Sequence, residues 1–65
     1  MIKVYNISHA VEIIFAEDLL SAFEDDFGEI RDGESVGEAI ERMGITLTQL
    51  VNFLNRHLNE EYKEV

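Results

Sequence analysis

Val36 to Leu58, VGEAIERMGITLTQLVNFLNRHL, is the stretch whose reading decides the fold. It predicts a short helix, a glycine corner and a longer helix. Val36, Ile40 and Met43 recur at helical spacing, and Ser35 with Glu38 forms an S-x-x-E capping box that sets the start near Val36. Gly44 ends this helix, Ile45 fills the corner and Thr46 is the next N-cap. Leu47, Leu50, Val51, Leu54 and Leu58 then fall at i, i+3, i+4, i+7 and i+11, one continuous apolar stripe. Phe53 lies off that stripe, so the second helix is apolar on more than one side. No acid stands between Arg42 and Asn59, although the chain as a whole is strongly acidic.

Moving toward the N-terminus, Gly28 to Glu34 is a turn-rich loop with Asp32-Gly33 as its turn. Glu17 to Phe27 reads as a helix that buries Leu19, Leu20, Phe23 and Phe27, with Gly28 as its terminator. Glu24, Asp25 and Asp26 sit at its C-terminal end, where the macrodipole disfavours anions. These acids are therefore not there for the helix's own stability. Met1 to Ile7 is rich in β-formers and alternates, which predicts a strand. Residues 8 to 16 support two readings. Val11 to Phe15 is the second strand of a hairpin, or Ser8 caps one long helix from His9 to Phe27. Beyond Leu58 the chain is expected to fray, with 63–65 as a mobile tail after a single small domain spanning 1–62.

Sixty-five residues bury only about 60% of their unfolded surface, so the core is marginal. There is no cysteine for a disulfide or a thiolate metal site. Oligomerisation or a bound partner is the usual remaining support. A hydrophobic fraction of 46% predicts a globular domain despite the charge. The N-terminus does not have the pattern of a signal peptide, and no run approaches the ~20 apolar residues of a membrane span. A cytoplasmic location is expected.

The net charge is −9, and it is segregated. Glu12 to Glu41 holds eleven acids and one base, Arg31, whereas Arg42 to Asn59 holds two arginines and no acid. This balance disfavours nucleic acid and anionic membranes and favours a basic partner. Calcium is not predicted, because neither Gly28 nor Gly33 sets an EF-hand register. His9 and His57 stand alone, with no metal-ligand spacing. No nucleophile motif or phosphate loop is present, and so small a domain has little interior for a dry catalytic carboxylate. The chain is expected to be no enzyme and to carry no cofactor.

The stretch AIERMGITLTQLVNFL, residues 39 to 54, resembles a helix-turn-helix. Ala39-Ile40 match its packing positions, Met43-Gly44-Ile45-Thr46 its corner, and Leu50 and Phe53 the apolar positions of its second helix. The fold implied is α+β: a short N-terminal strand or hairpin followed by about three helices, with a helix-turn-helix-like C-terminal half. The resemblance implies a transcriptional regulator whose readers are Thr48, Gln49, Asn52, Asn55 and Arg56. The chain departs from it in charge: Arg42 and Arg56 are the only phosphate anchors nearby, and Glu38 and Glu41 lie on the helix that would cross the DNA backbone.

The same stretch also suits assembly. Leu47, Leu50, Val51, Phe53, Leu54 and Leu58 then form a dimer or docking face, and the chain is a homodimer or small protein-interaction module. Acids three and four apart on a helix lie roughly 5–6 Å apart, near the phosphate repeat of a nucleic-acid strand. Glu17, Asp18, Glu24, Asp25, Asp26, Glu29, Asp32, Glu34, Glu38 and Glu41 would form such a surface. In size and acidity the chain resembles small phage-type proteins that mimic DNA. What that likeness implies is a non-enzymatic inhibitor that blocks a basic nucleic-acid-binding host protein, such as a nucleoid protein, a polymerase or a nuclease, without binding nucleic acid itself.

Overall fold

Two short strands and four helices make up the chain, in a computed structural model that describes residues 1–65. In order they are β1 (Ile2–Val4), α1 (Ile7–Ala16), α2 (Leu20–Phe27), α3 (Val36–Met43), α4 (Leu47–His57) and β2 (Tyr62–Glu64). The class is α+β, with one more helix than expected. The extra helix comes from residues 7–27. The N-terminal strand stops at Val4, and Asn6 rather than Ser8 caps α1, its Oδ1 accepting from the His9 N–H at 2.9 Å. The helical reading of residues 8–16 is therefore the right one, but the helix does not run on to Phe27.

It stops because Asp18 adopts a left-handed conformation, φ 55°. The Asp18 N–H then donates to the Phe15 carbonyl at 3.2 Å and the Leu19 N–H to the Ile14 carbonyl at 2.8 Å. This is the Schellman closure, with Leu19 folded back toward Ile14. The same closure ends α3. Gly44 has φ 68°, its N–H donates to the Glu41 carbonyl at 3.2 Å, and the Ile45 N–H donates to the Ile40 carbonyl at 3.0 Å. Glycine takes this conformation freely, whereas a residue with a Cβ gives up roughly 1–2 kcal/mol, less for Asp than for most.

The expected capping box at Ser35 is closed, and a second one starts α4. Ser35 Oγ accepts from the Glu38 N–H at 3.1 Å, and Glu38 Oε1 accepts from the Ser35 N–H at 2.8 Å. Thr46 and Gln49 make the same exchange at the start of α4, at 3.2 and 2.8 Å.

The C-terminal segment is not a loose tail. Tyr62–Glu64 forms β2, which lies parallel to β1 in the register Ile2 to Tyr62, Lys3 to Lys63 and Val4 to Glu64. The Ile2 N–H donates to the Glu61 carbonyl at 2.8 Å and the Val65 N–H to the Val4 carbonyl at 3.2 Å. On the opposite edge of β2 the Asn55 side chain stands in for a third strand. Its Nδ2 donates to the Tyr62 carbonyl at 2.9 Å, and its Oδ1 accepts from the Tyr62 N–H at 2.7 Å.

The core joins all of these elements through Val4, Ala10, Ile14, Phe23, Val36, Ile40, Ile45, Leu50, Phe53, Leu54 and Tyr62. Phe23, Phe27 and Phe53 pack with ring centroids 5.1 to 6.1 Å apart, and His57 lies 4.6 Å from Phe53. This corrects the assembly face. Leu50, Phe53 and Leu54 have no exposed surface and Val51 only 6%, while Leu47 and Leu58 are half-buried against the same core. The elements packed around α4 cover it on more than one side, which is why α4 is apolar off its main stripe. No helix is long and apolar enough to cross a membrane.

Two stability measurements follow from these contacts. Asp18→Gly should raise the thermal midpoint and Gly44→Ala should lower it, each by ~1 kcal/mol, or roughly 4–8 °C in a domain of this size. Asn55→Ala leaves both Tyr62 backbone groups without their partner and should destabilise by ~1–3 kcal/mol in urea unfolding. An unchanged midpoint for Asn55→Ala would show that β1, the buried Tyr62 ring and the Glu64–Thr48 bond hold β2 without it.

Candidate functional site

Ten acids make up the surface expected to meet a partner, and the fold divides them. Consecutive helical residues point about 100° apart, so Glu24, Asp25 and Asp26 do not share a face. Glu24 turns toward the following loop, where Oε2 accepts from the Ile30 N–H at 2.9 Å. Asp26 turns toward α4. Its Oδ2 receives Arg56 at 2.9 Å and lies 2.9 Å from His57 Nε2. Only Asp25 points to solvent without a partner. The acids that looked misplaced at the C-terminus of α2 are thus tertiary contacts, one to the loop and one to α4.

Glu34 is also committed. Arg42 reaches it through Nε at 2.7 Å and a terminal nitrogen at 2.9 Å, and the same guanidinium donates to the Glu29 carbonyl at 3.1 Å. The Arg31 N–H adds a bond to Glu34 Oε1 at 3.0 Å. Arg42 therefore pins the 28–35 loop onto α3. The Arg42 bond, and after it the Arg31 N–H, hold the Glu34 carboxyl at about 2 against an ordinary 4.5. Asp26 is likewise held below its ordinary value, by the His57 bond first and the Arg56 bond second. Glu38 is tied into its capping box. Of the ten, Glu17, Asp18, Asp25, Glu29, Asp32 and Glu41 are left exposed, with side chains that make no hydrogen bond or ion pair.

The side chains expected to read DNA are similarly engaged. Thr48 donates to Glu64 Oε2 at 2.6 Å, Gln49 closes the α4 capping box, Asn55 holds Tyr62, and Arg56 holds Asp26. Asn52 alone is exposed with no partner. A surface depression is lined by Glu38, Glu41 and Arg42, with no hydrophobic residue. No three of its His, Asp and Glu side chains converge as metal ligands would.

Sequence reasoning missed the roles of Arg42, Asn55 and Glu64. Arg42 and Glu34 are eight residues apart, one in the last turn of α3 and the other in the loop before its cap, which is no helical spacing. The only signal was a lone base at the end of an acidic helix. Compared with protein-family models, with curated proteins and with solved structures, the chain matches none.

Because the Glu34 pKa is lowered on folding, its contribution to stability is full above pH 4.5 and is lost as pH falls toward 2. Acid also relieves the repulsion of a −9 chain, so the informative quantity is the difference between two proteins. In urea titrations from pH 6 to 2, Glu34→Gln should be less stable than the parent at pH 6, and the gap should close between pH 4.5 and 2. A gap that stays constant with pH would locate the contribution elsewhere.

Proposed function

We propose that the protein is a non-enzymatic acidic inhibitor that acts in the cytoplasm, mimics the charge of DNA and occupies the nucleic-acid-binding surface of a basic partner protein. The observation that carries this reading is the set of uncompensated acids. Arg42 and Arg56 are each bound to an acid, while Glu17, Asp18, Asp25, Glu29, Asp32 and Glu41 remain exposed and unpaired. The fixed loop and capped helices hold those around α3 without the ordering cost a flexible acidic tail would bring. The molecule measures 34 Å along its longest axis, close to one turn of B-DNA at ~34–36 Å. A homodimer fits this reading only through a surface other than α4, whose apolar side chains are buried within one copy.

The helix-turn-helix regulator is the less favoured reading. Its corner, from Gly44 to Thr46, has the expected glycine conformation and cap. Its readers, Asn52 apart, are however bonded within the chain, and its phosphate anchors are neutralised by Asp26 and Glu34.

A gel shift with duplex DNA at low salt should show no complex. Pull-down from a bacterial lysate should recover a basic protein that both salt and added duplex DNA release. Reversal of Asp25, Glu29, Asp32 and Glu41 to Lys should abolish this capture without loss of helix content, because none of these side chains supports the fold. A salt-sensitive shift of duplex DNA by the parent protein would overturn the proposal, as would undiminished capture by the reversed variant.

A further inference from the structure

The β1–β2 sheet has an inner face and an outer one. Ile2, Val4 and Tyr62 turn inward onto the core, and Glu64 turns toward Thr48. Met1, Lys3 and Tyr5 on one side, with Glu61, Lys63 and Val65 on the other, turn outward, and all six are exposed. Met1, Tyr5 and Val65 are 73%, 63% and 70% exposed, the largest values among the exposed apolar side chains. The pairing register sets Lys3 directly beside Lys63. Like charges opposite each other in a sheet are destabilising, and this chain has only five Lys and Arg to place against fourteen acids. Neither lysine forms an ion pair, whereas Arg42 and Arg56 both do. Glu61, the one acid on this outer face, bonds to neither of them.

The sheet edges differ as well. At the outer edge of β2, Asn55 takes both the N–H and the carbonyl of Tyr62. Along β1, the Ile2 N–H and the Val4 carbonyl are used toward β2. By strand alternation the N–H and carbonyl of Lys3 therefore point to the open edge. The Tyr5 N–H just beyond is capped by His9 Nδ1 at 3.2 Å, and the two rings stack at 5.4 Å. One free donor–acceptor pair thus remains on the strand, beside two unpaired cations and between two exposed apolar side chains.

We propose that this edge docks an extended segment of a partner protein with the pattern apolar-x-acid-x-apolar. The segment adds as a strand to β1. Its central residue exchanges main-chain hydrogen bonds with Lys3, and its carboxylate lies within reach of Lys3 and Lys63. The flanking apolar side chains pack on Met1 and Tyr5. A second copy of this chain is the wrong occupant. Pairing β1 with β1 would line up Lys63, Lys3 and their two counterparts across one sheet. A single acid in the segment fits better than an acidic run, because the rest of the protein is strongly negative and its field is screened only beyond ~8 Å at physiological salt. This site is separate from the acidic surface and does not depend on its assigned function.

The test is an amide-resonance titration of the full chain with blocked peptides containing VTETV or VTKTV. The VTETV peptide should bind saturably, with shifts confined to residues 1–5 and 61–65, and the VTKTV peptide should bind at least tenfold more weakly. Joint replacement of Lys3 and Lys63 by Gln should weaken VTETV binding at least tenfold, and replacement of both by Glu should reverse the preference. Both residues are exposed and unpaired, and an unchanged amide spectrum outside the sheet checks the fold of each variant. No shifts with VTETV at millimolar concentration, shifts elsewhere, or equal binding of the two peptides would overturn the proposal. So would shifts at Lys3 and Lys63 with a DNA oligonucleotide but not with VTETV, which would assign the patch to a polyanion. A concentration-dependent doubling of mass lost in the Glu variant would assign it to self-association.

Discussion

Asn55 holds the two ends of the chain on the same framework. Its amide group satisfies both backbone groups of Tyr62 at once, as a neighbouring strand would. A three-residue parallel pair has too few bonds to persist alone. Fixed against α4, β2 becomes a template on which β1 pairs, and β1 in turn places Asn6 to start α1. The Tyr62 ring then enters the same core as Leu50, Phe53 and Leu54. One polar side chain on the solvent margin of α4 thereby determines where the first strand, the last strand and the first helix lie.

The acids follow a similar logic. A surface of fourteen acids looks uniform in the sequence, but several of them are fasteners. Glu34 fixes the loop to α3 through Arg42, Asp26 ties α2 to the end of α4, Glu24 and Glu38 close backbone donors, and Glu64 ties β2 to α4. A chain with no cysteine and a small core uses these bonds where a larger protein would rely on buried area. Net charge therefore overstates the surface offered to a partner, because an acid already bound to an arginine or a backbone N–H presents little charge outward.

The parts of the fold legible in the sequence were those set by local chemistry. The capping box at Ser35, the glycine at Gly44 and the stripe through Leu54 each report a neighbour within four residues, and each is where it was expected. The parts that were not legible depend on distance or on an uncommon conformation. Asp18 ends α1 in a conformation for which glycine is the usual signal, so the break between α1 and α2 carried no mark. Tyr62–Glu64 has one buried side chain and no alternation to reveal it, and its strand character comes from Asn55 and β1. The face of α4 was read as unpartnered because its partners, Val4, Ile14 and Tyr62, come from elements whose packing no short window contains.

In a domain this small, nearly every polar side chain near an element boundary is recruited to hold the fold. The residues open to functional use are then those left without a structural contact. Asp25, Glu29, Asp32 and Glu41 belong to that remainder on one part of the surface, and Lys3 and Lys63 on another. The second case is the more demanding, because adjacent lysines raise the energy of the sheet, whereas a dispersed acid on a solvated helix costs little. A fold with so few cations could lower its energy by pairing either lysine with an acid, of which it has a surplus, yet even Glu61 on the same face bonds to neither. That the two instead share one exposed strand pair, next to the open edge of β1, is a cost that stability does not explain and that an anionic group bound alongside them would offset.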